Sequence, residues 1–125
     1  MTKFSSGLKT LFLVHFVVGV VVGLLYMFVP KLFGGWFGMS ISDEFPYRII
    51  GAAVLGFTAS SWYCYNADAW EKVKIVVLAE IVWTGLNTLI CMYSLFLGGA
   101  PAGIWVNLVI MAGFAIAFAY FYNKK

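Results

Sequence analysis

Four apolar segments of about 20 residues each make up most of this chain, and their length constrains its fold more than any other feature. The segments cover residues 8–29, 47–65, 73–97 and 102–122. At 1.5 Å per helical residue, each segment can cross a hydrocarbon core that is roughly 30 Å thick. Segments of this length and composition cross lipid as helices, which satisfy their own backbone hydrogen bonds. The pattern predicts a single all-α membrane domain over residues 1–125, an antiparallel bundle of four transmembrane helices.

The composition makes lipid the expected solvent for most of the surface. Of the 125 residues, 63% are hydrophobic and 10% are charged, and the mean hydropathy is +0.95. A soluble domain carries about 25% charged residues, so this chain cannot cover a water-facing exterior. The lipid bilayer is therefore the expected partner. Nucleic acid is excluded as a partner, because the sequence has no basic face and no module of basic and aromatic residues.

The distribution of basic residues predicts the orientation of the helices. Lys31 and Arg48 fall on one side of the predicted bundle. Six basic residues fall on the other side, which holds both termini and the second loop: Lys3, Lys9, Lys72, Lys74, Lys124 and Lys125. Because basic residues accumulate on the cytoplasmic side, we predict that both termini are cytoplasmic, with the protein in a plasma membrane. Residues 26–30 are bulky and do not resemble a cleavage site, so we interpret the first segment as a retained helix.

The first loop, residues 31–46, is unusually rich in large apolar residues, among them Phe33 and Trp36. This composition predicts an amphipathic segment at the outer membrane surface. Gly34, Gly35 and Gly38 argue against a long regular helix in the loop, because glycine is a poor helix former.

One face of the third segment is polar. Glu80, Thr84, Asn87, Cys91 and Ser94 recur at steps of three and four residues, which places their side chains on the same face of a helix. Hydrocarbon cannot hydrogen-bond these groups, so the face must turn toward other helices, a ligand or a water-filled gap. Glu80, Thr84 and Asn87 are candidate ligand-binding or buried polar residues.

His15 and Glu80 are predicted to lie at the same depth in the membrane. Each is about seven residues into a segment that begins on the cytoplasmic side, or roughly 10 Å inside the boundary. Contact between them would lower the cost of placing both side chains in hydrocarbon. In the alternative arrangement, a protonated Glu80 binds Thr58 or Ser61 while His15 binds a backbone carbonyl.

The single arginine, Arg48, lies at the outer end of the second segment, at the opposite depth from Glu80. Two interpretations remain open. The side chain can extend to the membrane surface near Asp43 and Glu44, or it can anchor an anion or a lipid head group.

Small residues indicate where helices pack closely. Gly19 and Gly23 form a G-x-x-x-G face on the first helix, and Gly51 and Gly56 are expected to serve the same purpose on the second. Packing within the chain is the first interpretation of these faces. Dimerisation through them, or binding of another membrane protein, is the alternative.

No catalytic, metal or cofactor motif is recognisable in the sequence. Cys64 and Cys91 are expected at different depths, too far apart for a disulfide. Together with a single histidine, they do not form a ligand set for zinc, haem or an iron–sulfur cluster. A nucleophile elbow and a phosphate-binding loop are also missing. We therefore expect no catalytic residues, no metal and no cofactor.

The layout of the chain resembles the DoxX-like group of small four-helix membrane proteins. The resemblance is carried by a glycine-rich first helix that ends at Pro30 and Lys31, the amphipathic loop, and the sequence Arg48-Ile-Ile-Gly51 at the start of a small-residue second helix. It implies a four-helix membrane fold and, for some members, partnership in quinone-linked sulfur oxidation. No site residue is implied by it.

These features predict two possible functions. The first is a non-catalytic accessory or scaffold subunit of a larger membrane assembly, because almost nothing extends beyond the bilayer. The alternative is a binder or carrier of a small hydrophobic or protonatable ligand, such as a quinone or a lipid. A closed, ligand-sized cavity lined by Glu80, Thr84 and Asn87 would favour the alternative, and a tightly packed stripe would favour the scaffold.

Overall fold

The computed structural model describes residues 2–124, which form five α-helices and no strand. The helices are α1 (Ser6–Phe28), α2 (Pro30–Trp36), α3 (Phe45–Tyr65), α4 (Trp70–Leu97) and α5 (Ile104–Lys124). The four long helices begin and end within a few residues of the four apolar segments. The end of the molecule near Thr2 and Lys124 is called the terminal end below, and the end that carries α2 is called the distal end.

Three of the helices, α1, α4 and α5, are long and apolar enough to cross a membrane. α3 has 21 residues but is not among them by composition, because it contains Arg48 and several hydroxyl side chains. The outward surface of the long helices is apolar, with exposed side chains such as Val17, Leu86 and Ile116. This surface fits a multi-pass protein surrounded by lipid.

α1 and α3 pack as a close antiparallel pair, and three glycines allow their backbones to approach. A Cβ atom on Gly51 would lie 2.6 Å from the backbone nitrogen of Met27 and 2.7 Å from the carbonyl oxygen of Gly23. A Cβ atom on Gly19 would overlap the Thr58 hydroxyl, and one on Gly23 would lie 2.7 Å from Leu55. Gly51 therefore has no room for a side chain against the α1 backbone, and a side chain at Gly19 or Gly23 would have to displace Thr58 or Leu55.

Gly56 does not belong to this interface, contrary to the expectation from sequence. It is exposed, and a Cβ atom built on it would meet nothing within 4 Å. Five residues advance a helix by about 140° beyond a full turn, so Gly56 cannot share the face of Gly51 that contacts α1.

The terminal half of the molecule is a packed apolar core. Leu8 and Phe12 of α1, Val73 and Val77 of α4, and Phe118 of α5 are fully buried there. The chain before α1 is also fixed at this end. The Trp70 amide donates to the Thr2 carbonyl at 2.6 Å, and the Thr2 amide donates to the carboxylate of Glu71.

At the distal end, part of the predicted loop 31–46 is helical. Pro30 has no amide hydrogen to continue the α1 ladder, and its ring disfavours the helical conformation for Val29, which lies outside the helical region at φ −135° and ψ 55°. Proline is also favourable at the first position of a new helix, so α2 begins at Pro30 itself. Gly34 and Gly35 limit α2 to seven residues without preventing it.

Arg48 links α1 to the start of α3. Its Nη1 donates to the carbonyl oxygen of Met27 at 2.6 Å, and its Nη2 lies 3.4 Å from Glu44. The last carbonyls of a helix have no partner within the helix and carry partial negative charge. The guanidinium therefore caps the end of α1, a contact that neither interpretation of Arg48 from the sequence included.

Candidate functional site

The structure places His15 and Glu80 in contact at the level of the packed core. The Nε2 atom of His15 lies 3.2 Å from Oε2 of Glu80, and the Glu80 side chain is fully buried. The other ring nitrogen, Nδ1, lies 2.7 Å from the Ser61 hydroxyl oxygen. Both nitrogens of the His15 ring are therefore engaged by side chains from two different helices.

The Glu80 carboxyl is poorly satisfied for so deep a position. Within residues 2–124, neither of its oxygens accepts a well-aligned hydrogen bond, so the His15 contact is an ion-pair distance without hydrogen-bond alignment. The nearby threonines do not help, because Thr84 donates to the Glu80 carbonyl oxygen and Thr58 donates to that of Val54. His15 is thus the polar side chain in contact with this carboxyl.

Three side chains are in contact in the order hydroxyl, imidazole and carboxyl, as in a hydrolytic triad: Ser61, His15 and Glu80. A substrate, however, could not reach the Ser61 hydroxyl. Ser61 is fully buried in the middle of α3 and does not line the cavity described below. The backbone amides around Ser61 donate hydrogen bonds within α3, so they cannot supply the oxyanion donors that acyl transfer requires. This cluster is therefore better suited to packing and polar pairing than to nucleophilic catalysis.

A cavity of about 620 Å³ lies between the α1–α3 pair and the α4–α5 pair, in the distal half of the molecule. It extends from His15 to Tyr26, a distance of about 16 Å along α1. Most of its wall is apolar, with Val18, Val54 and Trp83 among the lining residues. α2 covers its distal end through Phe33.

The polar stripe of α4 divides at this cavity. Glu80 and Thr84 are fully buried in packed protein and do not line it, whereas Asn87, Cys91 and Ser94 do. The part of the stripe nearer the terminal end, Glu80 and Thr84, therefore packs between helices. The part nearer the distal end has the polar groups expected of a ligand site.

Asn107 of α5 completes the polar part of the cavity wall, and the sequence reading did not single it out. Its Nδ2 donates to Oδ1 of Asn87 at 2.8 Å and lies 3.1 Å from the sulfur of Cys91. We call Asn87 and Asn107 the amide pair. The available signal was that Asn107 is a lone amide within an otherwise apolar segment, which in a membrane requires a partner.

Cys64 and Cys91 are both buried and unbridged. Cys64 belongs to the core at the terminal end, and Cys91 lines the cavity beside the amide pair.

Comparison with known proteins gave no match, since no family model, no curated protein and no solved structure is significantly similar to this chain. Membership of the DoxX-like group therefore stays a prediction from the layout of the sequence.

Proposed function

We propose that this protein is a small multi-pass membrane protein that binds, and in this way carries or retains, one hydrophobic molecule with a polar group. The cavity is the observation that supports this function over that of a scaffold, although only Asn87 of the three stripe residues expected from the sequence lines it, and Glu80 and Thr84 are packed. Its volume of about 620 Å³ lies within the range of roughly 300–1,000 Å³ that is typical of small-molecule sites. Apolar walls with a few convergent polar groups are also typical of such sites.

The positions of exposed lining residues support entry of the ligand from the bilayer. Ile50 and Phe57 of α3 and Ile90 of α4 line the cavity and are also exposed on the outer surface. The cavity therefore opens sideways between α3 and α4, at a surface that faces lipid if the helices cross the membrane. A hydrophobic ligand such as a quinone or a lipid could enter there without passing through water.

Filling the cavity tests this function. In Val22→Trp, the indole would occupy space that the ligand needs, because Val22 lines the cavity. We expect native mass spectrometry of the protein, purified from its own membranes in mild detergent, to show a bound small molecule in the wild type and to show its loss in this variant.

Val21→Trp is the matched control, since Val21 is the adjacent residue and is 52% exposed on the outer surface. It should retain the ligand. Equal retention by both variants, or a wild type that carries a stable partner protein and no small molecule, would contradict ligand binding and favour the accessory or scaffold role.

For the arrangement in the membrane, we propose that α3 is a fourth span and that both termini are cytoplasmic in a plasma membrane. The polar residues Thr58 and Ser61 of α3 are buried, whereas Ile49 and Trp62 are exposed, so the helix can present an apolar surface to lipid. The excess of basic residues at the terminal end supports the orientation.

Labelling of a single introduced cysteine tests the orientation. Ser42 is exposed at the distal end, so Ser42→Cys should react with a membrane-impermeant thiol reagent in intact cells. The wild type is the control, because Cys64 and Cys91 are buried. Labelling of Ser42→Cys only after lysis would reverse the proposed orientation.

A further inference from the structure

The amide pair leaves one donor group and one acceptor group without a protein partner. Asn107 Nδ2 donates to Asn87 Oδ1. Among residues 2–124, no hydrogen bond joins the Asn87 amide nitrogen or the Asn107 carbonyl oxygen to another protein atom.

One donor and one acceptor stay unpaired whichever way the two side-chain amides are oriented. If both amides are reversed, Asn87 donates to Asn107, and one NH₂ group and one carbonyl oxygen are again left over. Asn87 and Asn107 are half-buried and line the cavity, so both unpaired groups face space whose walls are mostly apolar and offer them few other partners. A ligand head that accepts one hydrogen bond and donates another would satisfy both groups at once.

The rest of the cavity wall disfavours a charged head. No Lys, Arg, Asp or Glu is among the lining residues of the described chain, so an ionised phosphate, carboxylate or ammonium would be buried without a counter-charge. His15 lines the cavity, but both of its nitrogens are engaged by Ser61 and Glu80. A quinone is also a poor fit, because its carbonyl oxygens only accept hydrogen bonds and would leave the Asn107 carbonyl unpaired.

The position of the amide pair indicates where an apolar chain would lie. Asn87 is seven residues beyond Glu80 in α4, which places the amide pair about 10 Å distal to the level of His15. The space between these two levels is lined by apolar side chains, including Val18, Phe57 and Phe114. It suits a hydrocarbon chain that extends from the amide pair toward His15 or leaves between α3 and α4.

We propose that the ligand is an uncharged single-chain lipid whose head bears a hydroxyl, either as an alcohol or as an un-ionised carboxylic acid, and that this head binds the amide pair. The inference rests on the proposed function and narrows it to one class of ligand. The hydroxyl donates to the Asn107 carbonyl and accepts from the Asn87 amide.

Two probes of equal chain length, tritiated 1-hexadecanol and tritiated hexadecane, test the proposal on the purified protein in mild detergent. We expect the wild type to bind the alcohol about ten-fold more tightly than the alkane, because two hydrogen bonds are added. Asn107→Leu, and the double variant with Asn87→Leu, should lose this preference while still binding hexadecane. Retained hexadecane binding also shows that the variants are folded with the cavity open.

Asn123→Leu is the matched control, because it makes the same substitution on α5 at an exposed position outside the cavity, and its preference should remain. Equal binding of both probes by the wild type, or a preference that survives both cavity substitutions, would overturn the head-group inference alone. Failure of the wild type to bind either probe, or binding that Val22→Trp does not reduce, would overturn the proposed function itself.

Discussion

Gly51→Ala is expected to destabilise the protein by about 3 kcal/mol, the upper end of the usual cost of overpacking and one of the largest effects of any single substitution in this chain. The added methyl group would lie within 2.7 Å of two backbone atoms of α1, the nitrogen of Met27 and the carbonyl oxygen of Gly23. Backbone atoms of a packed helix cannot rotate away as a side chain can, so α1 and α3 would have to separate. Unfolding in mixed detergent micelles measures the loss.

Gly56→Ala provides the matched control on the same helix, since its added methyl group would meet nothing within 4 Å. Alanine is a better helix former than glycine by up to about 1 kcal/mol, so this variant should be as stable as the wild type or slightly more stable. If Gly51→Ala and Gly56→Ala unfold alike, the close approach of α1 and α3 described here is wrong.

The positions of the long helices and the contact between His15 and Glu80 were accessible from the sequence for one physical reason. A helix advances by a constant 1.5 Å per residue, and lipid requires helices long enough to cross it. Counting residues from the same side of the membrane therefore gives the depth of a side chain. His15 and Glu80, on helices that run in the same direction from the terminal end, could be matched in this way.

The amide pair could not be found by the same counting, because the end of α4 and the start of α5 do not lie at the same level. Asn87 is ten residues before the end of α4, whereas Asn107 is three residues after the start of α5. At a constant rise, α4 thus extends about 10 Å beyond the start of α5. Residues 98–103 return along α4 before α5 begins, and hydropathy contains no information about such an offset.

The cavity and the face occupied by Gly56 were also inaccessible from composition. A cavity depends on how far two helix pairs stand apart, which is decided by the contact residues at their ends. Hydropathy treats Gly51 and Gly56 alike, and only their angle around α3 separates a tight contact from an exposed position. The division of the polar stripe between Thr84 and Asn87 follows from the same spacing of helices.

Removing either member of the His15–Glu80 pair is expected to destabilise the protein by about 1–3 kcal/mol, the cost of leaving a buried polar group without its partner. His15→Phe keeps the edge contacts of the ring with Phe114 and Phe118 but leaves the Glu80 carboxyl without its contact. Glu80→Leu leaves the His15 Nε2 atom facing an apolar side chain. Because the double variant leaves neither polar group without its partner, we expect it to be more stable than either single variant.

A double-mutant cycle on unfolding in detergent measures this recovery. The exposed pair Asp68 and Lys72 supplies the control. Its nitrogen and oxygen are 2.6 Å apart, and the hydrogen bond from Lys72 lowers the pKa of the Asp68 carboxyl. Water screens this exposed pair, so its cycle should show a much smaller coupling than that of a buried pair. Strictly additive losses at His15 and Glu80 would contradict pairing in the core. Single variants that stay as stable as the wild type but no longer bind hexadecanol would instead indicate that the two side chains act in ligand binding. The loss of a structural pair would lower the stability of the protein.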